Sequence, residues 1–179
     1  MRRFFPGRHA ATVVVLIAAA AASRLLPHPP NFAPLAAMAL FAGACLPSGR
    51  AALAVPMAAM FASDLVLGLH DQMPGVYLSF ALTVGLGRLL RRRRRPIPVA
   101  LASVTASLLF FALSNFGVWA TGLLYPLTAD GVVACYTAAV PFFRNTLLGD
   151  LLYSAALFGG LAILERAVPS LAREAAGTR

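Results

Sequence analysis

The stretch PVALASVTASLLFFALSNFGVWATG, residues 98–122, runs for 25 positions without a charged side chain. As a helix rising about 1.5 Å per residue it would reach roughly 37 Å, more than the ~30 Å hydrocarbon core of a bilayer. Five arginines, Arg91 to Arg95, stand just before it. A long apolar run with a cationic block at one edge has the pattern of a membrane span whose cytoplasmic end is marked.

The rest of the chain agrees with that stretch. Of its 179 residues, 60% are hydrophobic and 12% charged, and mean hydropathy is +0.79. A soluble domain is about 45–50% apolar and about 25% charged, so this composition excludes one. Apolar runs fall at about residues 9–26, 32–46, 51–68, 74–90, 98–122 and 146–165. They predict a single integral membrane domain over residues 1–179: an all-α, six-transmembrane-helix bundle. A short interfacial or re-entrant helix is expected in the long 123–145 connection between spans five and six, either as a lid or as an anchor. The second run is short for a crossing. It begins earlier, among Pro27, Pro29 and Pro30, or is partly re-entrant.

All fifteen basic residues are arginine. With the N-terminus inside, Arg2, Arg3, Arg8, Arg50, Arg88, Arg91 to Arg95, Arg166, Arg173 and Arg179 are cytoplasmic, and only Arg24 and Arg144 are outside. That asymmetry predicts a multi-pass protein of the bacterial cytoplasmic (inner) membrane with both termini cytoplasmic. The block at 91–95 then reads as a topology signal that also meets anionic lipid, and no nucleic acid partner is expected. Arg2, Arg3 and Arg8 ahead of an apolar run ending at Ala20 to Ser23 also resemble a cleavable signal peptide, and Arg2-Arg3 hints at a twin-arginine signal. Five further runs favour a first span instead. Ala54, Ala58 and Ala62, four apart, predict a smooth face on span three for packing within the chain, with docking to a partner protein as the alternative.

Polar residues collect toward the outer side. An Asp or Arg at the centre of a span costs about 2.5–3.5 kcal/mol on insertion scales, so it should find a partner or a wet cavity. Asp64 and Asp150 are such residues, and Arg24 and Arg144 are the arginines available to pair with them. Asn115 and Trp119 are four apart; Thr146, Asp150 and Tyr153 follow a four-then-three spacing, so each set shares one helix face. The expectation is an outward-opening pocket surrounded by Arg24, Asn31, Asp64, Asn115, Trp119, Arg144, Asn145, Asp150 and Tyr153. Aromatic walls with a few fixed polar groups suit a small, flat, partly polar ligand. A structural ion pair that locks helices together is the plainer use of the same residues.

Catalytic patterns are missing: there is no HExxH, Walker motif or GxSxG elbow. His28, His70 and Asp71 keep no metal spacing, and Cys45 and Cys135 fit neither a disulfide framework nor a zinc site. No catalytic residue, metal or cofactor is expected, and the chain is read as a non-enzyme. Four strings, Arg24 to Gly43 (RLLPHPPNFAPLAAMALFAG), Ser63 to His70 (SDLVLGLH), Ser114 to Tyr125 (SNFGVWATGLLY) and Pro141 to Tyr153 (PFFRNTLLGDLLY), resemble a DUF6580-like family of small bacterial membrane proteins described as transport proteins. In size and six-span plan that family is similar to the S components of energy-coupling-factor vitamin transporters. The resemblance implies capture of a vitamin-like nutrient from outside, with a T component and ATPases as partners. S components use AxxxA contacts on the first helix for docking, and here only Ala18 and Ala22 match. A membrane scaffold resembling rod-shape-determining protein D is the alternative from a different class, with an intramembrane enzyme using Asp64 and Asp150 behind it.

The orientation is testable by labelling single cysteines placed by Arg93→Cys and Asp130→Cys. In intact cells an impermeant reagent is expected to reach position 130 and not 93. Labelling of position 93 from outside would overturn the orientation.

Overall fold

The computed structural model describes residues 7–69 and 71–177; Arg2, Arg3, His70 and Arg179 lie outside the described residues. With them go the twin-arginine hint and half of the histidine pair. The described residues form seven helices and no strand: α1 (Gly7–Ser23), α2 (Leu35–Cys45), α3 (Gly49–Leu67), α4 (Met73–Leu89), α5 (Pro96–Ala120), α6 (Ala129–Ala167) and α7 (Pro169–Gly177). The all-helical class read from the sequence holds.

Three of these helices, α3, α5 and α6, are long and apolar enough to cross a membrane. The others fall short: α1 and α4 have 17 residues and α2 only 11. Six full-length spans are therefore not what the helices support. The reason is clearest at α2, which reaches about 16 Å. Pro27, Pro29, Pro30 and Pro34 interrupt the preceding segment, and a residue before proline is steered away from helical dihedrals. The apolar run at 32–46 becomes helical only after Pro34.

The 123–145 connection is also not a separate interfacial or re-entrant helix. Thr128 caps α6 by accepting from the Gly131 backbone N–H at 3.2 Å, and α6 then runs unbroken for 39 residues, about 58 Å. Pro141 sits inside it, removing a backbone donor. Between Cys135 and Ser154, nineteen residues of α6 lie along only twelve of α5, from Asn115 to Ser103. The N-terminal half of α6 thus takes the longer path around its partner.

Contacts between helix ends show how the bundle alternates in direction. At one end, Arg88 Nη1 donates to the Leu46 carbonyl at 2.8 Å, and Arg94 Nη1 lies 3.3 Å from Glu165 Oε1. His9 Nε2 is 3.1 Å from that same oxygen, and its backbone N–H donates to Glu174 of α7 at 2.9 Å. At the opposite end, Ser23 Oγ is 3.0 Å from Tyr153 OH, and Asn145 Nδ2 donates to the Pro30 carbonyl at 2.9 Å.

The core is built around α2. All ten residues from Ala36 to Cys45 are buried, as a helix apolar on every side requires. It contacts α1, α3, α4, α5 and α6. Its approach to α4 is set by Gly43 and Gly87, since a Cβ on Gly87 would stand 3.0 Å from the Gly43 Cα and closer still to the Leu40 carbonyl. Outside, apolar residues face the surroundings: Leu101 is 64% exposed and Ile163 66%, while Asp64, Thr83, Ser107 and Asp150 are buried. That inversion suits a chain solvated by lipid.

One packing expectation is overturned. Ala54, Ala58 and Ala62 are exposed, and α3 instead buries Ala52, Pro56, Met60, Ser63 and Asp64. Ser63 and Asp64 must sit inward for polar partners, which turns the alanine face outward. Ala18 and Ala22 are exposed as well, whereas α1 buries Val13, Ile17, Ala20 and Ala21.

Gly43→Ala is expected to lower thermal stability of the detergent-purified protein by about 1–3 kcal/mol, because the new methyl meets backbone that cannot yield. Gly85→Ala, whose Cβ would meet nothing within 4 Å, should not lower it. Equal effects would remove the glycine crossing as the cause.

Candidate functional site

Arg24 follows the last turn of α1, where its backbone N–H donates to the Ala21 carbonyl at 3.1 Å. Its side chain turns back into the bundle. Nη2 is 2.9 Å from Asp64 Oδ1, while Nη1 donates to Ser63 Oγ and contacts Met60 Sδ at 3.2 Å. Tyr77 of α4 donates its hydroxyl to the other carboxylate oxygen, Asp64 Oδ2, at 2.9 Å. Asp64 is 1% exposed. Charge and hydrogen bonds therefore compensate its removal from solvent, and the cluster ties α1, α3 and α4 together. This is the Arg24–Asp64 pairing that the sequence anticipates.

Asp150 solves a different problem. The first N–H groups of any α-helix have no partner within the helix, and α2 begins inside the bundle after Pro34, which makes no side-chain cap. The Asp150 carboxylate, projecting from α6, accepts from the Ala36 and Ala37 backbone N–H groups and from Ser107 Oγ of α5 at 2.8 Å. An anion at the positive end of the helix dipole is favourable, so Asp150 caps α2 from another element. It is 1% exposed and pairs with no arginine among the described residues; Arg144, the remaining candidate, is exposed on the surface.

A cavity of about 190 Å³ lies against this capped terminus, lined by Arg24, His28, Asn31, Leu35, Ala36, Phe110, Thr146 and Asp150 among others. A second, of about 200 Å³, shares Asn31, Phe110 and Thr146 with it and adds Ser114, Asn115, Phe142 and Phe143. Together they form a cleft between the 24–34 segment, α5 and α6. Asn31 stands where the two meet and has φ 61°, a left-handed conformation that asparagine tolerates better than most residues. Gly149 allows the segment to lie this close, since its Cβ would stand 3.3 Å from the Ala33 backbone nitrogen. The Asn145 bond to Pro30 and the Phe32–Tyr153 ring contact, at 6.2 Å, hold the segment against α6.

The nine residues anticipated around one pocket therefore divide. Arg24, Asn31 and Asp150 line the first cavity and Asn115 the second, with its Nδ2 held by the Phe111 carbonyl at 2.8 Å. Asp64, Asn145 and Tyr153 do not line either cavity: Asp64 holds Arg24, which does, while Asn145 and Tyr153 contact Pro30 and Phe32 of the segment that borders the cleft. Trp119 is turned away: its indole N–H donates to the Pro126 carbonyl at 3.0 Å and its ring packs on Phe116. Arg144 lines neither cavity. Tyr77 and Ser107 were missed; Ser103 and Ser107, four apart in an otherwise apolar run, carried a signal for the second, and Tyr77 carried none. Cys135 is buried against α5, its thiol 3.5 Å from the Asn115 carbonyl.

The "Family of unknown function (DUF6580)" matches residues 6–171, and the chain belongs to that family. Neither a curated protein nor a solved structure matches the chain. The family match carries no function, and nothing in it links the chain to energy-coupling-factor S components or to transport.

Arg24→Met is expected to destabilise the protein by about 3–5 kcal/mol, because it strands the Asp64 carboxylate in the core. Tyr77→Phe removes one hydrogen bond and should cost about 1 kcal/mol. Combining Arg24→Met with Asp64→Leu should recover most of the loss. Thermal unfolding in detergent reads all three, and a double variant no better than Arg24→Met would refute the pairing as the source.

Proposed function

We propose that this member of the DUF6580 family captures a small organic nutrient from the outer side of the bacterial cytoplasmic membrane and helps move it inward, as a binding or transport subunit rather than an enzyme. The observation that carries this is the half-length helix α2, whose N-terminus stops inside the bundle against a cavity lined by Arg24, Asn31, Thr146 and Asp150. Broken helices with a terminus at a mid-bundle site are a recurrent way for transporters to hold ligand. The two adjoining cavities, about 190 and 200 Å³, suit a compact ligand rather than a lipid or peptide. Phe110 offers an apolar wall, and Arg24, His28, Asn31 and Thr146 offer hydrogen bonds around it. A flat, polar heterocycle of the vitamin type fits that chemistry.

In this proposal six segments alternate across the membrane with the arginine-rich end cytoplasmic. The non-helical 24–34 segment completes the pass begun by α2; irregular backbone is tolerated at membrane depth where it is buried in protein or lines a cavity. A T component and ATPases would supply energy in the S-component version, and a solitary carrier is the simpler version of the same function. A scaffold of the rod-shape-determining type is the second reading. It is favoured by the finding that, among the described residues, every buried side-chain polar atom already has a partner.

The experiment is a thermal-shift screen of vitamins against the purified protein. One compound is expected to raise Tm, and the shift should vanish in Asn31→Gly, which keeps the left-handed backbone, and in Thr146→Val, which keeps the shape. If no compound binds and deletion of the gene alters cell shape, the scaffold replaces the carrier.

A further inference from the structure

A groove of about 540 Å³ runs between α5 and α6 from the level of Leu151, next to Asp150, to the arginine-rich end. Apart from Ser154 its walls are apolar: Val99 of α5 with Leu151, Ala155, Phe158 and Ala162 of α6. From Leu151 to Arg166 it follows fifteen residues of helix, about 22 Å, against roughly 15 Å for the hydrocarbon of one leaflet. The residues around it belong in lipid, since Ile97 is 74% exposed and Leu152 59%.

The charge lies at one end only. Arg94, Arg95 and Arg166 close the groove there, and two smaller cavities of about 260 and 390 Å³ open off the same loop, reached by Arg92 and Arg93 as well. Arg94 is partly engaged, 3.3 Å from Glu165. Arg95 and Arg166 are exposed and make no ion pair among the described residues. A partner helix or a second copy of the chain would match the apolar walls and leave these guanidinium groups unmatched unless it carried acids at that level. A molecule with an apolar tail and an anionic head matches both.

We propose that the α5–α6 groove is a binding site for an anionic phospholipid, with an acyl chain lying along Val99, Ala155 and Phe158 and the phosphate headgroup held by Arg95 and Arg166. Guanidinium forks suit phosphate oxygens in bidentate geometry. The site is distinct from the outer cleft and stands whether or not that cleft binds a nutrient.

The test is native mass spectrometry of the full-length protein released from nanodiscs of phosphatidylcholine doped with phosphatidylglycerol. The wild type is expected to retain phosphatidylglycerol in preference to phosphatidylcholine. Arg95→Gln with Arg166→Gln should lower that retention roughly ten- to thirtyfold, given about 1 kcal/mol for each exposed guanidinium–phosphate pair lost. Arg50→Gln with Arg173→Gln removes the same charge elsewhere on the surface and should leave retention unchanged. Gly159→Leu tests the tail: Gly159 lines the groove and its Cβ would meet nothing within 4 Å, so a leucine can enter the groove without disturbing the fold. It should lower retention of the lipid with both arginines intact. Equal retention of the two lipids, equal losses in the two arginine pairs, no effect of Gly159→Leu, or a lipid-free dimer each overturns the proposal.

Discussion

A helix that begins inside an apolar bundle needs partners for its first N–H groups, and apolar side chains cannot supply them. In this chain that requirement falls on α2, and Asp150 meets it from α6 with help from Ser107 of α5. The remaining architecture can be understood from that contact. It fixes the depth at which α2 starts and brings α5 and α6 against its amino end. It also leaves room beside the terminus, bounded by the 24–34 segment, where the cleft forms. An apolar residue at 150 would leave the terminus without its cap.

The second buried carboxylate has a different logic. Asp64 is held by Arg24 and Tyr77, and the three come from separate helices or their ends. Such a buried pair contributes little net stability against an apolar replacement, but it penalises any packing that separates its members. Its position matters because Arg24 also lines the cleft. A ligand contacting that guanidinium would touch a group whose orientation is already set by Asp64 and Ser63, which limits the reorganisation that binding requires. The structural and ligand-binding uses of the cluster are therefore compatible.

The two ends of the molecule divide their chemistry. One has carboxylates, amides and aromatic rings gathered around interrupted backbone; the other has arginines set over apolar grooves. Beside the Arg88–Leu46 contact of the arginine-rich end, Gly43 and Gly87 let α2 and α4 approach at backbone distance.

The sequence by itself determined the helical class, the membrane solvent and the apolar runs, because hydropathy and length are local properties that a bilayer reads directly. It also determined that Asp64 and Asp150 need partners, and it identified Arg24 as one of them, since ion burial is costly wherever it occurs. Only the tertiary structure decided who the remaining partners are. Tyr77 reaches Asp64 through the crossing of α3 and α4, and Asp150 turns to backbone N–H groups, which every residue but proline carries and no motif announces. The same holds for the errors. The four-residue spacing marks Ala54, Ala58 and Ala62 as a packing face, but α3 is rotated by the demands of Ser63 and Asp64, so those alanines point outward. Trp119 shares a helix spacing with Asn115, yet its indole finds Pro126 in the following loop. Periodicity says which residues share a face; which face turns inward is settled by polar groups that must find each other across helices.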